Sequence, residues 1–315
     1  MRKFPALLTV LGLATLTLAG CASVGAPDCT RPAPADAALQ GQFDIAGEPG
    51  SSPSVSFDTP FHVDEAATWE TVDGAGTPIT SESQLVALDV ALYDGTTGRQ
   101  LVATAFDGDQ SRVFTITDWS ATFPDFATLL NCASEGSRVA IALPYDGLAA
   151  ETAEALGMGE GDAALAVVDV NKVFLARATG TTVFNDAHNL PTVVRAPNGQ
   201  PGIIVPDAPA PTDIVVQTLI RGDGPALTAD DTVRVNYTSV PFEVAGDVLD
   251  TTWGRAPASV SVGTAATPGF TEALTGQTVG SQVLLVVPAD QSGSDEAVVY
   301  VIDILGVDVV APAAQ

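Results

Sequence analysis

Positive charge is scarce in this 315-residue chain: 12 Lys and Arg stand against 38 Asp and Glu, a formal charge of −26 at pH 7. No lysine lies between Lys3 and Lys172. Phosphate backbones are held by clustered basic side chains, so this balance argues against a nucleic-acid binder. Histidine is nearly missing, with only His62 and His188, and three cysteines add little toward a His-rich metal site. Both histidines sit in Pro-rich or polar segments with no Gly-x-Ser-x-Gly nearby, which disfavours a hydrolase. The carboxylates are scattered and form no Asp-x-Asp-x-Asp-Gly ligand loop. No metal or cofactor is implied. Aromatic residues are few, at 6%, and charged residues make up only 16% against 46% hydrophobic, so a sizeable core is feasible and global disorder is not expected. What is plentiful is Gly (29) and Pro (22), which fits a turn-rich β protein better than a helical bundle. At about 150 residues per domain the length suggests two domains.

The N-terminus carries two basic residues, Arg2 and Lys3, followed by a nearly apolar stretch from Phe4 to Ala19. That is the pattern of a signal peptide, and the stretch is short for a permanent membrane helix. It ends in Leu18-Ala19-Gly20-Cys21, which resembles the bacterial lipobox, where cleavage precedes the cysteine and lipid is attached to it. The reading is a signal over residues 1–20, lipidation at Cys21 and an extracytoplasmic protein anchored to the outer face of the cell membrane. Each buried acyl methylene would contribute roughly 0.8 kcal/mol to the anchor. Residues 21–40, rich in Ala, Pro and Asp, read as a flexible tether. Cys29 and Cys132 then remain, as a disulfide in an oxidising compartment or as two free thiols; geometry rather than spacing decides.

The mature chain contains an internal repeat. At an offset of 148, Pro53 falls on Pro201, Gly74 on Gly222 and Gly76 on Gly224, and strand Leu85–Val90 lies on Val233–Thr238. At an offset of 144, Pro124 meets Pro268, Phe126 meets Phe270, Gly136-Ser137 meets Gly280-Ser281 and Pro144 meets Pro288. Val168-Asp169-Val170 aligns with Ile302-Asp303-Ile304. The expected order in each copy is an extended segment, a Gly-rich turn and an alternating strand. A short helix after Pro follows (Phe126–Asn131; Thr271–Thr275), then an apolar strand and a closing strand. Strands around one short helix indicate an α+β fold. The first copy is placed at 41–177 and the second at 213–310, joined by an extended Pro-rich linker, 178–212, in which Gly202–Val205 is a candidate strand, and followed by a tail, 311–315.

The second copy resembles an FKBP-type peptidyl-prolyl isomerase domain. The resemblance is carried by Gly222-Asp223-Gly224, Val233–Thr238, Leu249-Asp250-Thr251-Thr252-Trp253-Gly254-Arg255, Pro268-Gly269-Phe270, Leu274–Gly280 and Tyr300–Leu305, in family order. It implies tandem domains, each a half-wrapped antiparallel sheet around a short helix, with an apolar pocket between them. It also implies a polar pair, Asp250 facing the twisting carbonyl and Tyr237 hydrogen-bonded beside it. Phe270 would form the pocket floor, with Leu249 and Tyr300 as apolar walls. Ala266 and Thr267 stand where the family has Val-Ile, a smaller and more polar lining, and Ser292 replaces a tyrosine of the loop after Pro288. Both departures imply weaker substrate binding. The first copy has Asp89 aligned with Tyr237 and Val102 with Asp250, so it is expected to be catalytically silent.

The function implied is a foldase acting on exported or unfolded chains through their X–Pro bonds. A catalytically weak or inactive FKBP-like lipoprotein that holds Pro-containing peptides is the alternative, and an unrelated extracellular β-domain binding protein is a third.

Overall fold

The computed structural model describes residues 29–309 except 186. The expected signal segment, 1–20, the expected lipidation site Cys21 and the expected tail, 311–315, lie outside the described residues. No helix among the described residues is long and apolar enough to cross a membrane.

The first unit contains strands β1 (Phe43–Ala46), β2 (Ser54–Phe57), β3 (Ala67–Val72), β4 (Leu85–Asp94), β5 (Gln100–Ala103), β6 (Phe114–Thr115), β7 (Arg138–Pro144) and β8 (Ala163–Val173). Its helices are α1 (Ala37–Gln40), α2 (Ile116–Ser120), α3 (Phe126–Leu129) and α4 (Ala150–Ala155). The second unit contains β9 (Thr181–Thr182), β10 (Thr192–Arg195), β11 (Pro201–Ile204), β12 (Val215–Arg221), β13 (Thr232–Pro241), β14 (Asp250–Thr251), β15 (Ala258–Ser261), β16 (Gln282–Val287) and β17 (Val298–Val307). Its helices are α5 (Phe270–Leu274) and α6 (Ala289–Ser292).

The two sheets share one antiparallel topology. The first runs β3-β7-β8-β4-β5 with β6 paired to β4, and the second runs β12-β16-β17-β13-β14 with β15 paired to β13. Even the irregularities recur: the ladder shifts between Ala87 and Leu88 in one copy and between Arg234 and Val235 in the other. The repeated Gly74 and Gly222 have one cause, since a Cβ at either would overlap the carbonyl of Ser134 or Val279.

Antiparallel sheets commonly leave one face to water and alternate in polarity. These do not. Every residue of β16 is buried, as are the first nine residues of β4 and the first eight of β8. One face packs on the short helices, through Phe126 and Leu130 in the first unit and Phe270 and Leu274 in the second. A hairpin covers the other face. Hairpin β1–β2 lays Phe43, Ile45, Val55 and Phe57 against Ala140, Ala142, Leu165 and Val167. Hairpin β10–β11 lays Val193 and Ile203 against Leu284, Val286, Val299 and Val301. The segment expected to be an extended linker, 178–212, therefore supplies a strand and a sheet-covering hairpin to the second unit. The strand expected at Gly202–Val205 is present as β11, whereas its partner β10 is short and lies among prolines, which masked it in the sequence.

A buried polar anchor holds each hairpin. In the first unit Arg138 (1% exposed) on β7 makes a bidentate pair with Asp169 (fully buried) on β8, with Nε–Oδ1 2.6 Å and Nη2–Oδ2 2.7 Å. Its remaining donors reach the hairpin turn, at the carbonyls of Gly47 (2.8 Å) and Ser51 (2.6 Å), and the Gly50 N–H donates to Asp169. In the second unit Gln282 replaces Arg138 and Asp303 replaces Asp169. The arginine has moved onto the hairpin: Arg195 Nε donates to Gln282 Oε1 at 2.8 Å, and Gln282 Nε2 donates to Asp303 Oδ1 at 2.7 Å. Asp303 also accepts from the Ala178 N–H at 2.7 Å, close to where the units meet. There Leu175 N–H donates to the Leu305 carbonyl and Phe174 packs on Gly306.

Residues 29–40, read as part of a flexible tether, are fastened to the first unit. Cys29 is disulfide-bonded to Cys132. Asn131 donates to the Thr30 carbonyl, Arg31 pairs with Glu70, and Ala35 N–H donates to the Thr68 carbonyl. Asp36 caps α1 by accepting from Leu39 N–H at 2.8 Å.

Without a direct cation, burial pushes the Asp303 carboxyl up to about 6, against the hydrogen bonds from Ala178 and Gln282 that hold it down. The folded state then binds a proton that the unfolded chain releases near pH 4, so this group's stabilisation falls as pH rises from about 4 to about 6. The stability difference between wild type and Asp303→Asn should shift against wild type by about 3 kcal/mol across that range. Denaturant unfolding at each pH reads it, and a pH-independent difference would contradict the assignment.

Candidate functional site

The site is built where β13, β17 and α5 meet. Tyr237 on β13 stands opposite Ile302, two residues from Tyr300, which pairs with Ser239. Gly269 precedes α5 with φ +79°, and a Cβ there would press on Leu285 and Val287. Glycine thus lets the chain turn sharply against β16 and drive Phe270 into the core, where it is 1% exposed. Phe270, Tyr237 and Tyr300 form a mutually tilted aromatic triad. Phe270 and Tyr300 are 5.2 Å apart at 89°, Tyr237 and Phe270 5.8 Å at 85°, and Tyr237 and Tyr300 6.2 Å at 64°. Such edge-to-face packing fixes ring orientation more tightly than aliphatic contact does.

Asp250 opens β14 and stands opposite Ser239, next to the triad. Its carboxylate is oriented by three donors: Tyr237 Oη to Oδ2 at 2.5 Å, and Thr251 N–H and Arg255 Nη2 to Oδ1, each at 2.8 Å. The hydrogen bond from Tyr237 is the main cause that holds the Asp250 carboxyl below the usual range, with Arg255 adding to it. Burial, then the Asp250 bond, push the Tyr237 hydroxyl up to about 12. Near neutral pH the pair is a carboxylate and an intact phenol. The carboxylate is half exposed (51%), so it remains available to a bound molecule.

The other expected site residues divide. Phe270 and Tyr300 lie in the triad. Leu249 is 58% exposed and belongs to the rim rather than a packed wall. Its exposed neighbours Val244 and Val248 lie in the loop that leads to it. Ala266 is exposed; Thr267 is half buried, and its carbonyl accepts from Phe270 N–H at the start of α5. Ser292 is tied up in its own turn, bonding to the carbonyl of Glu296 at 2.8 Å. Two residues were not assigned a role from sequence. Arg255 is the carboxylate's charged partner and was visible as the only cation of its motif. Val262, wholly buried in the core beside the triad, carried no separate signal.

The first unit lacks this chemistry, and the register corrects the residue responsible. Asp89 pairs with Asp169 as Asn236 pairs with Asp303, so Asp89 corresponds to Asn236 and Val90 to Tyr237. Thr104 and Thr252 confirm the match. Each hydroxyl accepts from the backbone N–H of Val90 or Tyr237 and donates to the side chain of Asp89 or Asn236. Val102 opposes Leu92 as Asp250 opposes Ser239, and Ala166 takes the place of Tyr300. Phe126 keeps the position of Phe270 but is covered by Phe123, stacked at 4.1 Å, and by Trp119. The polar pair is replaced by two valines, and aromatic side chains cover the Phe126 ring.

No family profile matches the chain. It is similar to the protein named "Probable FK506-binding protein" in Corynebacterium glutamicum, with 29% identity over 115 residues, 34% of this chain and 97% of that protein. It is also similar to an FK506-binding protein of Streptomyces anulatus, with 27% identity over 121 residues and the same shares. Among solved structures, the three FKBP domains of wheat FKBP73 align over 77% of this chain and 94% of that chain, at 11% identity and TM-score 0.30. A peptidyl-prolyl cis-trans isomerase from Pseudomonas syringae aligns over 36% and 77%, at 15% identity and TM-score 0.29.

Replacing Tyr237 by Phe should let the Asp250 carboxyl titrate at higher pH, because its strongest donor is lost. Carboxyl-carbon NMR reads this directly. An unchanged Asp250 titration would remove that hydrogen bond from the account.

Proposed function

We propose that the chain is an FKBP-type peptidyl-prolyl cis-trans isomerase whose working site is the second unit. The observation that carries this reading is a carboxylate held by Tyr237 and Arg255 at the edge of an aromatic triad whose floor, Phe270, is buried and whose two tyrosines are half-buried. Similarity to two proteins named FK506-binding proteins supports it. The chemistry needs neither nucleophile nor cofactor. Rotation about an X–Pro bond is slow because amide resonance opposes it, with a barrier of about 18–20 kcal/mol. A site that binds the twisted amide better than either planar form lowers that barrier, tenfold in rate for each ~1.4 kcal/mol of difference. The prolyl ring would rest against the half-buried Tyr237 and Tyr300, over Phe270 beneath them. Asp250 would face the twisting carbonyl, whose carbon becomes more electrophilic as resonance is lost. The bound Tyr237 hydroxyl retains a lone pair for a substrate N–H.

The first unit acts as a scaffold in this reading. The protein is exported and held at the outer membrane face by lipid on Cys21, and its clients are exported or unfolded chains containing X–Pro bonds. A weakly catalytic binder of Pro-containing peptides is a second reading, favoured by the exposed Leu249 and Ala266, which leave the triad with a shallow rim.

Proline-limited refolding, or cis/trans exchange of an X–Pro peptide, should accelerate at micromolar concentrations of the mature chain. Asp250→Ala should cost about ten- to a hundredfold in kcat/KM, the worth of a charged hydrogen-bonding group. No acceleration by wild type would select the binder reading. In a bacterial host, Cys21→Ser should move the protein from the membrane fraction to the soluble one and abolish acyl labelling. Labelling that persists would rule out Cys21 as the anchor.

A further inference from the structure

A second site is marked by a cavity of about 260 Å³ in the first unit, far along the chain from the isomerase residues. It lies beneath the N-terminal strap, between Arg31–Pro34 on one side and β3, β7 and the end of α3 on the other. Its walls are apolar, formed by Pro32, Pro34, Trp69, Leu129 and Val139. Two buried oxygens in its lining have no hydrogen-bond partner, Thr68 Oγ1 and Glu70 Oε1. Thr68 as a residue is only 5% exposed.

This arrangement is unusual for a protein interior. Interiors are close-packed, and buried polar atoms are almost always bonded. Here the chain holds the strap down with a disulfide, an ion pair, a side-chain hydrogen bond and a backbone bridge, yet the space beneath it persists. The same edge of the second sheet is covered differently, by β9 paired directly to β12. The strap therefore does something that simple edge protection does not require.

We propose that this cavity binds a small organic cation, a primary amine with a short apolar body. The size suits about nine non-hydrogen atoms at the ~30 Å³ each takes in a liquid. The polarity suits an ammonium group, which carries three donors and no acceptor. Glu70 spends one carboxylate oxygen on Arg31, the other accepts no hydrogen bond although Asp73 lies beside the group, and Thr68 adds a hydroxyl acceptor. The local charge agrees: burial pushes the Glu70 carboxyl up, Arg31 draws it back, and Asp73 beside it adds to the rise. Negative charge beside Glu70 thus exceeds what its pairing with Arg31 offsets, and a bound ammonium would balance it. A carboxylate ligand would meet repulsion at the same place.

The test titrates the mature chain with n-pentylamine, n-pentanol and pentanoate, followed by ligand-observed NMR. Pentylamine should bind saturably and about tenfold or more tightly than either analogue, as a charged hydrogen bond outweighs a neutral one. Glu70→Gln should reduce that preference to about twofold or less. Intermolecular NOEs in wild type should connect the pentyl chain to the Trp69 indole, which keeps the proposal testable even if the variant does not fold. No saturable binding, equal binding of amine and alcohol, a preference that survives in Glu70→Gln, or NOEs confined to another surface would each overturn it.

Discussion

A single carboxylate near the middle of each sheet, Asp169 in one and Asp303 in the other, ties the covering hairpin to the strands. Both are inaccessible, and each sits on the last long strand with the helix on one side and the hairpin on the other. A charge so placed requires donors, and a buried pair that loses one partner costs about 3–5 kcal/mol. The donors come from the hairpin turn, the neighbouring strand or both. This satisfies the carboxylate and at the same time fixes where the hairpin lies. With both faces covered, the central strands can be apolar throughout, and their runs of Val, Leu and Ala follow from that.

The two copies solve the same problem with one charge moved. In the first, the guanidinium stands on the strand and reaches up to hairpin carbonyls. In the second it stands on the hairpin and reaches down to an amide, leaving Asp303 without direct contact to a cation. Around the site the divergence is larger. The threonine hydroxyl that braces β4 or β13 is kept in both, so it belongs to the scaffold. The phenol, the carboxylate and the outer tyrosine are replaced by Val, Val and Ala in the first copy, where Phe123 and Trp119 cover the floor.

Much of this was legible in the sequence because repetition reveals what a single copy conceals. Gly74 and Gly222, the Pro–Phe turn into the helix, and the closing Val-Asp-Val and Ile-Asp-Ile strands all took matching places. Asp250, Tyr237, Phe270 and Tyr300 came together as the family motif implies. The misplacement of Asp89 came from one residue of offset, and in a strand one residue turns a side chain to the opposite face. Only hydrogen-bonded register resolves that. The hairpins were half visible: the second strand of each is the extended segment that opens its copy, whereas the first is short, has the composition of a linker, and covers a sheet that lies far away in sequence. The roles of Arg138 and Arg195 depend on those same distant contacts.

The strap changes the geometry of attachment. A tether running to residue 40 would let the whole molecule roam through a wide hemisphere above its anchor. If Cys21 carries the lipid, as proposed, only eight residues separate it from the disulfide at Cys29, a span of at most about 28 Å. The first unit would then hug the bilayer surface. Leu175 and Phe174 dock the first unit to the second, so such an anchor would also limit how far from it the aromatic triad can lie.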